Sequence, residues 1–144
     1  MFHLFRRDRS RGQALVEFAL VIPIFLLLML GLFDLGRAVF YHSTISNASR
    51  QAVRVGIVDQ NQTAIRQAAV DNASGVMPIT TADVSIEFLA PDMTATGTCP
   101  AQRNIGCIVR VRVNHSFTPA TPFVPQLSLS ATTNQPIERR FVSP

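Results

Sequence analysis

The sequence predicts an α+β protein: one long N-terminal helix carrying a small head built on a three-stranded antiparallel sheet. Three observations lead there. A twenty-residue apolar run stands near the N-terminus, an apolar stripe of helical period follows it, and three later segments alternate with a period of two. The chain has 144 residues, enough for one compact domain but hardly for two.

The apolar run extends from Ala14 to Phe33 and contains one charge, Glu17. At about 1.5 Å per residue it forms a helix roughly 30 Å long, the thickness of a bilayer's hydrocarbon core. A core helix of a soluble protein keeps a polar stripe, and residues 19–33 have none. The membrane is therefore the first expected partner. Arg6, Arg7, Arg9 and Arg11 precede the run, offset only by Asp8. The positive-inside bias then places the N-terminus in the cytoplasm and residues 35–144 outside. The apolar run is longer than a cleaved signal's core, and no A-x-A-like site follows it, so an uncleaved anchor is expected. Asp34 and Arg37, three residues apart, are expected to form an interfacial ion pair marking the end of the span. Pro23 removes one backbone hydrogen bond within it, which membrane helices tolerate.

Beyond the span the helix is expected to continue. Ala38, Tyr41, Ile45, Ala48, Ala52 and Val55 form an apolar seam, with Ser43, Asn47, Arg50 and Arg54 on another face. The seam can bury against the protein's own body or against another subunit's helix. Gly56 and the polar run 59–62 end the helix. A second helix is expected over residues 63–74, closed by Gly75.

Then the period changes. Val84, Ile86 and Phe88 alternate with polar residues, as do Val109, Val111 and Val113, and later Leu127, Leu129 and Ala131. These are three half-buried strands. Cys99 and Cys107 lie in the turn-rich stretch between the first two and suit a local disulfide in an oxidising compartment. Pro119, Pro122 and Pro125 stiffen the connection to the third strand and prevent a regular ladder there.

Composition excludes several functions. The net charge of +4 is mostly a leader effect, since residues 1–12 carry +3. A nucleic-acid binder spreads its positive charge along a face, so nucleic acid is not expected as a partner. Two cysteines are too few for a tetrahedral metal site. His3, His42 and His115 are not grouped with one another or with the cysteines, and His115 falls on the valine face as a semi-buried histidine. Asp83, Glu87 and Asp92 are scattered, and no glycine-rich phosphate loop occurs. The expectation is a protein that is not an enzyme, with no catalytic residues, cofactor, metal or small-molecule substrate.

Glu17 is the residue that composition alone does not explain. A charge at the centre of a bilayer helix costs on the order of 2.5–3.5 kcal/mol, and less one turn from its end. It either snorkels to the interface or meets a cation from another chain. The segment RSRG–QALVEFALVIPIF resembles the processing site of Flp-type prepilins, with a glycine, four residues, a glutamate and an aromatic. That resemblance implies cleavage by a membrane aspartyl prepilin peptidase after Gly12. The mature chain would begin at Gln13, with Glu17 as its fifth residue and Phe18 next. It also implies a charge pair between subunits, Glu17 of one chain with the α-amine of Gln13 of its neighbour. Residues 12–55, with Val16–Glu17–Phe18, Pro23, Gly31, Asp34, Gly36 and Arg37, resemble the N-terminal signature of TadE-like proteins of the tight-adherence pilus machinery. A body of about a hundred residues suits a TadE-like minor pilin, or pseudopilin, better than a short major pilin or the larger TadG-like relatives.

The resemblance implies a pilin-like fold and a single-pass protein of the bacterial inner membrane, with the option of incorporation into an extracellular pilus. Its partners would be other pilin or pseudopilin subunits and the pilus assembly platform. The division expected is a cytoplasmic leader (1–12), a transmembrane and stalk helix (13–58), and an extracytoplasmic α+β head (59–144). The competing expectation is an unprocessed, membrane-anchored binding module whose head recognises a surface partner.

Overall fold

The computed structural model describes residues 9–92, 99, 105–122 and 124–138; side chains are described from Gly12 onward. His3, most of the arginine leader, much of the loop between the first two strands and the tail 139–144 lie outside the described residues. The first helix, α1, runs from Arg9 to Gly56. Its 48 residues make a rod about 72 Å long. It passes Pro23 without interruption, because a helix end or a break in lipid would expose several backbone groups rather than one.

The second helix, α2, spans Gln62–Ala73. Asn61 caps its start, its side-chain oxygen accepting from the Thr63 N–H at 3.0 Å. Its end differs from the glycine-closed form expected. Ser74 keeps right-handed backbone angles, its N–H reaches the Val70 carbonyl, and Gly75 takes no positive φ. A short 3-10 turn, Thr81–Asp83, leads into the sheet; the Asp83 carboxylate accepts from the N–H and hydroxyl of Thr80, both at 2.8 Å.

The strands are β1 (Val84–Leu89), β2 (Ile108–Phe117) and β3 (Leu127–Pro136). They form one antiparallel sheet in the order β1-β2-β3, with Val84 opposite Val113 and Val113 opposite Ala131. The α+β architecture is therefore as expected, down to the alternating strands. Val109, Val111 and Val113 are fully buried, while Arg112 and Asn114 face solvent. Leu127 departs from the pattern: it begins β3 on the expected apolar face yet remains half exposed.

The second half of α1 lies across this sheet with α2 beside it. Ile45, Ala48, Ala52 and Val53 of α1 and Ile65, Ala69 and Ala73 of α2 share one core with the β2 valines. The apolar seam thus closes on the protein's own body. Each fully buried valine or isoleucine contributes about 1.5–3 kcal/mol. Small residues let the elements approach. A Cβ on Gly56 would meet a Val109 methyl at 3.0 Å and the Ile65 Cδ1 at 3.2 Å. Ser49, also fully buried, satisfies its hydroxyl with Thr133 Oγ1 at 2.7 Å and the Ser46 carbonyl at 2.9 Å.

Cys99 and Cys107 are disulfide-bonded, with Cα atoms 5.9 Å apart, and both are buried. The turn before Cys107 places Gly106 at φ 92°, a conformation that favours glycine. Ile137, past β3, closes this end: its N–H donates to the Cys107 carbonyl at 2.7 Å, and its side chain is buried.

Candidate functional site

The first half of α1 has no partner within the described fold. None of its most apolar 18-residue window is buried, and it is long and apolar enough to cross a membrane. Leucines and phenylalanines occupy its whole circumference, so rotation cannot hide them from water. An apolar surface of that extent requires lipid or other apolar helices around it.

Gly12, Gln13, Glu17 and Phe18 all lie on this exposed section of continuous helix. Gln13 and Glu17 are one turn apart on the same face. No hydrogen bond or ion pair joins Glu17 to another described residue. The geometry leaves its carboxylate available along the helix surface.

At the head end of the apolar run, Asp34 is built into a clasp. It is 6% exposed although it sits on the outer half of the helix. Its carboxylate accepts three hydrogen bonds from the connection between β2 and β3. These come from the Ala120 N–H at 2.9 Å, the Thr121 N–H at 2.8 Å and the Thr121 hydroxyl at 2.5 Å. Arg37 stands 3.4 Å from the same carboxylate. The Arg37 guanidinium also lies 5.3 Å from the Phe117 ring and 5.7 Å from the Tyr41 ring. Tyr41 in turn meets Phe117 and His115 edge-on, with both centroid distances 5.7 Å. The Thr121 hydroxyl is the main reason that the Asp34 carboxyl is held below its ordinary value; the Ala120 N–H adds to this, while burial acts in the opposite direction.

Sequence reasoning paired Asp34 with Arg37 alone. The heavier contacts come from residues more than eighty positions away, and no local spacing announces them. The available signal was the proline spacing around Thr121. It marks a stiff connection able to present two successive N–H groups, but not what they would meet. Among the described residues no group of three or more His, Cys, Asp or Glu could hold a metal ion.

An unburied apolar helix whose far half is fastened to a small antiparallel sheet is an α+β architecture with one helix long and apolar enough to cross a membrane. Residues 12–54, which lie on α1, match the family model described as TadE-like protein. The match bears out the resemblance drawn from Gly12, Glu17, Phe18 and the Asp34–Arg37 segment. The head lies beyond the matched segment. No curated protein and no solved structure matches the chain.

Proposed function

We propose that this protein is a minor pilin-like subunit for assembly of a Flp/Tad-type pilus or a related secretion apparatus. It is held in the bacterial inner membrane with the leader in the cytoplasm and the head outside. A prepilin peptidase cuts after Gly12 and removes the arginines, leaving an ammonium group on Gln13. The observation that carries this reading is a lone carboxylate, Glu17, in the otherwise uncharged and unburied run of residues 14–33, inside the TadE-like match.

Assembly is then side-by-side packing of apolar helices, given register by charge. An α-amine is positive at neutral pH. In a low-dielectric surround its attraction to the Glu17 carboxylate of a neighbouring chain greatly exceeds that in water. A misregistered neighbour would leave both charges unpaired in lipid, a cost of several kcal/mol. The head supplies outward contacts with other subunits and the assembly platform.

Mass spectrometry of the protein from cells with the peptidase should find a chain beginning at Gln13, and Gly12→Ala should leave the leader in place and block assembly. Full-length chain beginning at Met1, together with normal function of Gly12→Ala, would instead establish the unprocessed binding module. Glu17→Gln should permit cleavage but abolish incorporation, since it removes the charge and keeps the shape. Unchanged piliation in that variant would refute the charge-pairing step.

A further inference from the structure

The helix–sheet clasp fixes a second apolar element at the height where the membrane span ends. Asp34 directly follows Phe33, the last residue of the apolar run. Its bonds to Ala120 and Thr121 hold the connection between β2 and β3 at that level. The turn there is closed by the Val124 N–H donating to the Thr121 carbonyl at 3.3 Å. Val124 and Leu127 are each 51% exposed, and on the adjoining helix Leu35, Val39 and Phe40 are exposed as well.

The chemistry of the surrounding chain is uniform. From Val113 to Ile137 there is no Asp, Glu, Lys or Arg, although the rest of the head carries both signs. The two charges at this height, Asp34 and Arg37, face each other. The protein's one tyrosine also sits here, beside Phe117. An apolar body with a polar tip suits the boundary between headgroups and acyl chains. An uncharged, proline-stiffened turn with exposed aliphatic side chains suits the same zone.

We infer that residues 118–122 and 124–127 form a second membrane-contacting element, seated in the interfacial layer of the leaflet on the head side. Its partner is the lipid surface itself. This rests on the membrane reading of residues 14–33 and adds to its apolar surface the exposed side chains of Leu35, Val39, Phe40, Val124 and Leu127. Together the span and the turn give the head two attachments to the bilayer. Two attachments fix its tilt and its rotation about α1, and so the direction in which each subunit presents its head.

The chain has no tryptophan, so single tryptophans report position directly. The full chain would be reconstituted in phosphatidylcholine vesicles containing lipids brominated near either end of the acyl chain. Val124→Trp should emit at shorter wavelength than a water-exposed indole and be quenched most by bromines near the headgroup end. Ile105→Trp, at the opposite end of the sheet, has the same intrinsic liking for interfaces and should remain unquenched. Leu27→Trp should be quenched by the deep bromines. A water-like, unquenched Val124→Trp beside a quenched Leu27→Trp overturns the inference and leaves the span intact. An unquenched Leu27→Trp overturns the span and the inference with it. A Val124→Trp that is shielded from water yet untouched by brominated lipid overturns it in favour of contact with a second copy. If circular dichroism shows that Val124→Trp fails to fold, Leu127→Trp at the same height is read by the same criteria.

Discussion

Asp34 shows how one carboxylate can determine the relation between a membrane helix and its head. Its oxygens are held by Thr121, Ala120 and Arg37, and this lowers its pKa from the ordinary 3.8. A carboxyl depressed by folding stabilises the folded state fully above its unfolded pKa, and that contribution is lost as pH falls through the lower folded value. Tyr41, the one tyrosine in a chain without tryptophan, stands against the same cluster and reports on it. In detergent, its fluorescence should hold steady through neutral and mildly acidic pH and change only below about pH 4. Asp34→Asn should remove that acid transition and weaken the clasp at neutral pH. Ser49 is the second residue of this kind. Ser49→Ala should cost about 1–2 kcal/mol in thermal or denaturant unfolding, because it deletes a buried hydrogen bond to Thr133 and leaves that hydroxyl short of a partner.

At the level of elements, the packing of α1 on the sheet depends on how closely its last turn approaches. Gly56 meets Val109 and Ile65 with no room for a branched side chain. Gly56→Val should therefore destabilise the head by about 1–3 kcal/mol, measured as a shift in unfolding midpoint, through overpacking. The same substitution at Gly31 or Gly36, where a Cβ meets nothing, should leave the midpoint unchanged. The sheet was legible because its strands alternate cleanly. Val109, Val111 and Val113 had to share a face, and that face had to find the seam on α1. The end of α2 was less legible. A glycine after a helix usually signals a left-handed cap, but here Ser74 and the Val76 and Met77 N–H groups satisfy the last carbonyls without one.

For the molecule as a whole, the small head depends on more than its apolar core. The loop closed by Cys99 and Cys107 contributes roughly 2–3 kcal/mol in the chain-entropy model, a substantial share of the stability of a domain this size. The Cys99→Ser, Cys107→Ser variant should unfold at correspondingly lower temperature or denaturant concentration. Its α1 helicity in detergent should persist, because the apolar half of the rod does not depend on the sheet. The protein is thus two regimes joined end to end. One is a rod stabilised by its surroundings, and the other is a head stabilised by its own interior.

Periodicity and composition alone determined the rod, the three alternating strands and the pairing of the two cysteines as neighbours in a turn-rich loop. Each is a local property: apolar length, a period of 3.6 or of two, and a short separation. They also displayed Glu17 as a charge needing an explanation, because one acid in an uncharged run is visible without coordinates. What only the tertiary structure decided were contacts between distant segments. These are the carboxylate of Asp34 on the amides of Ala120 and Thr121, the Ser49–Thr133 hydroxyl pair, and the close approach of Gly56 to Val109. Such pairings depend on how the sheet is laid on the helix. That arrangement is fixed only when the buried faces of α1, α2 and the three strands close on one another together.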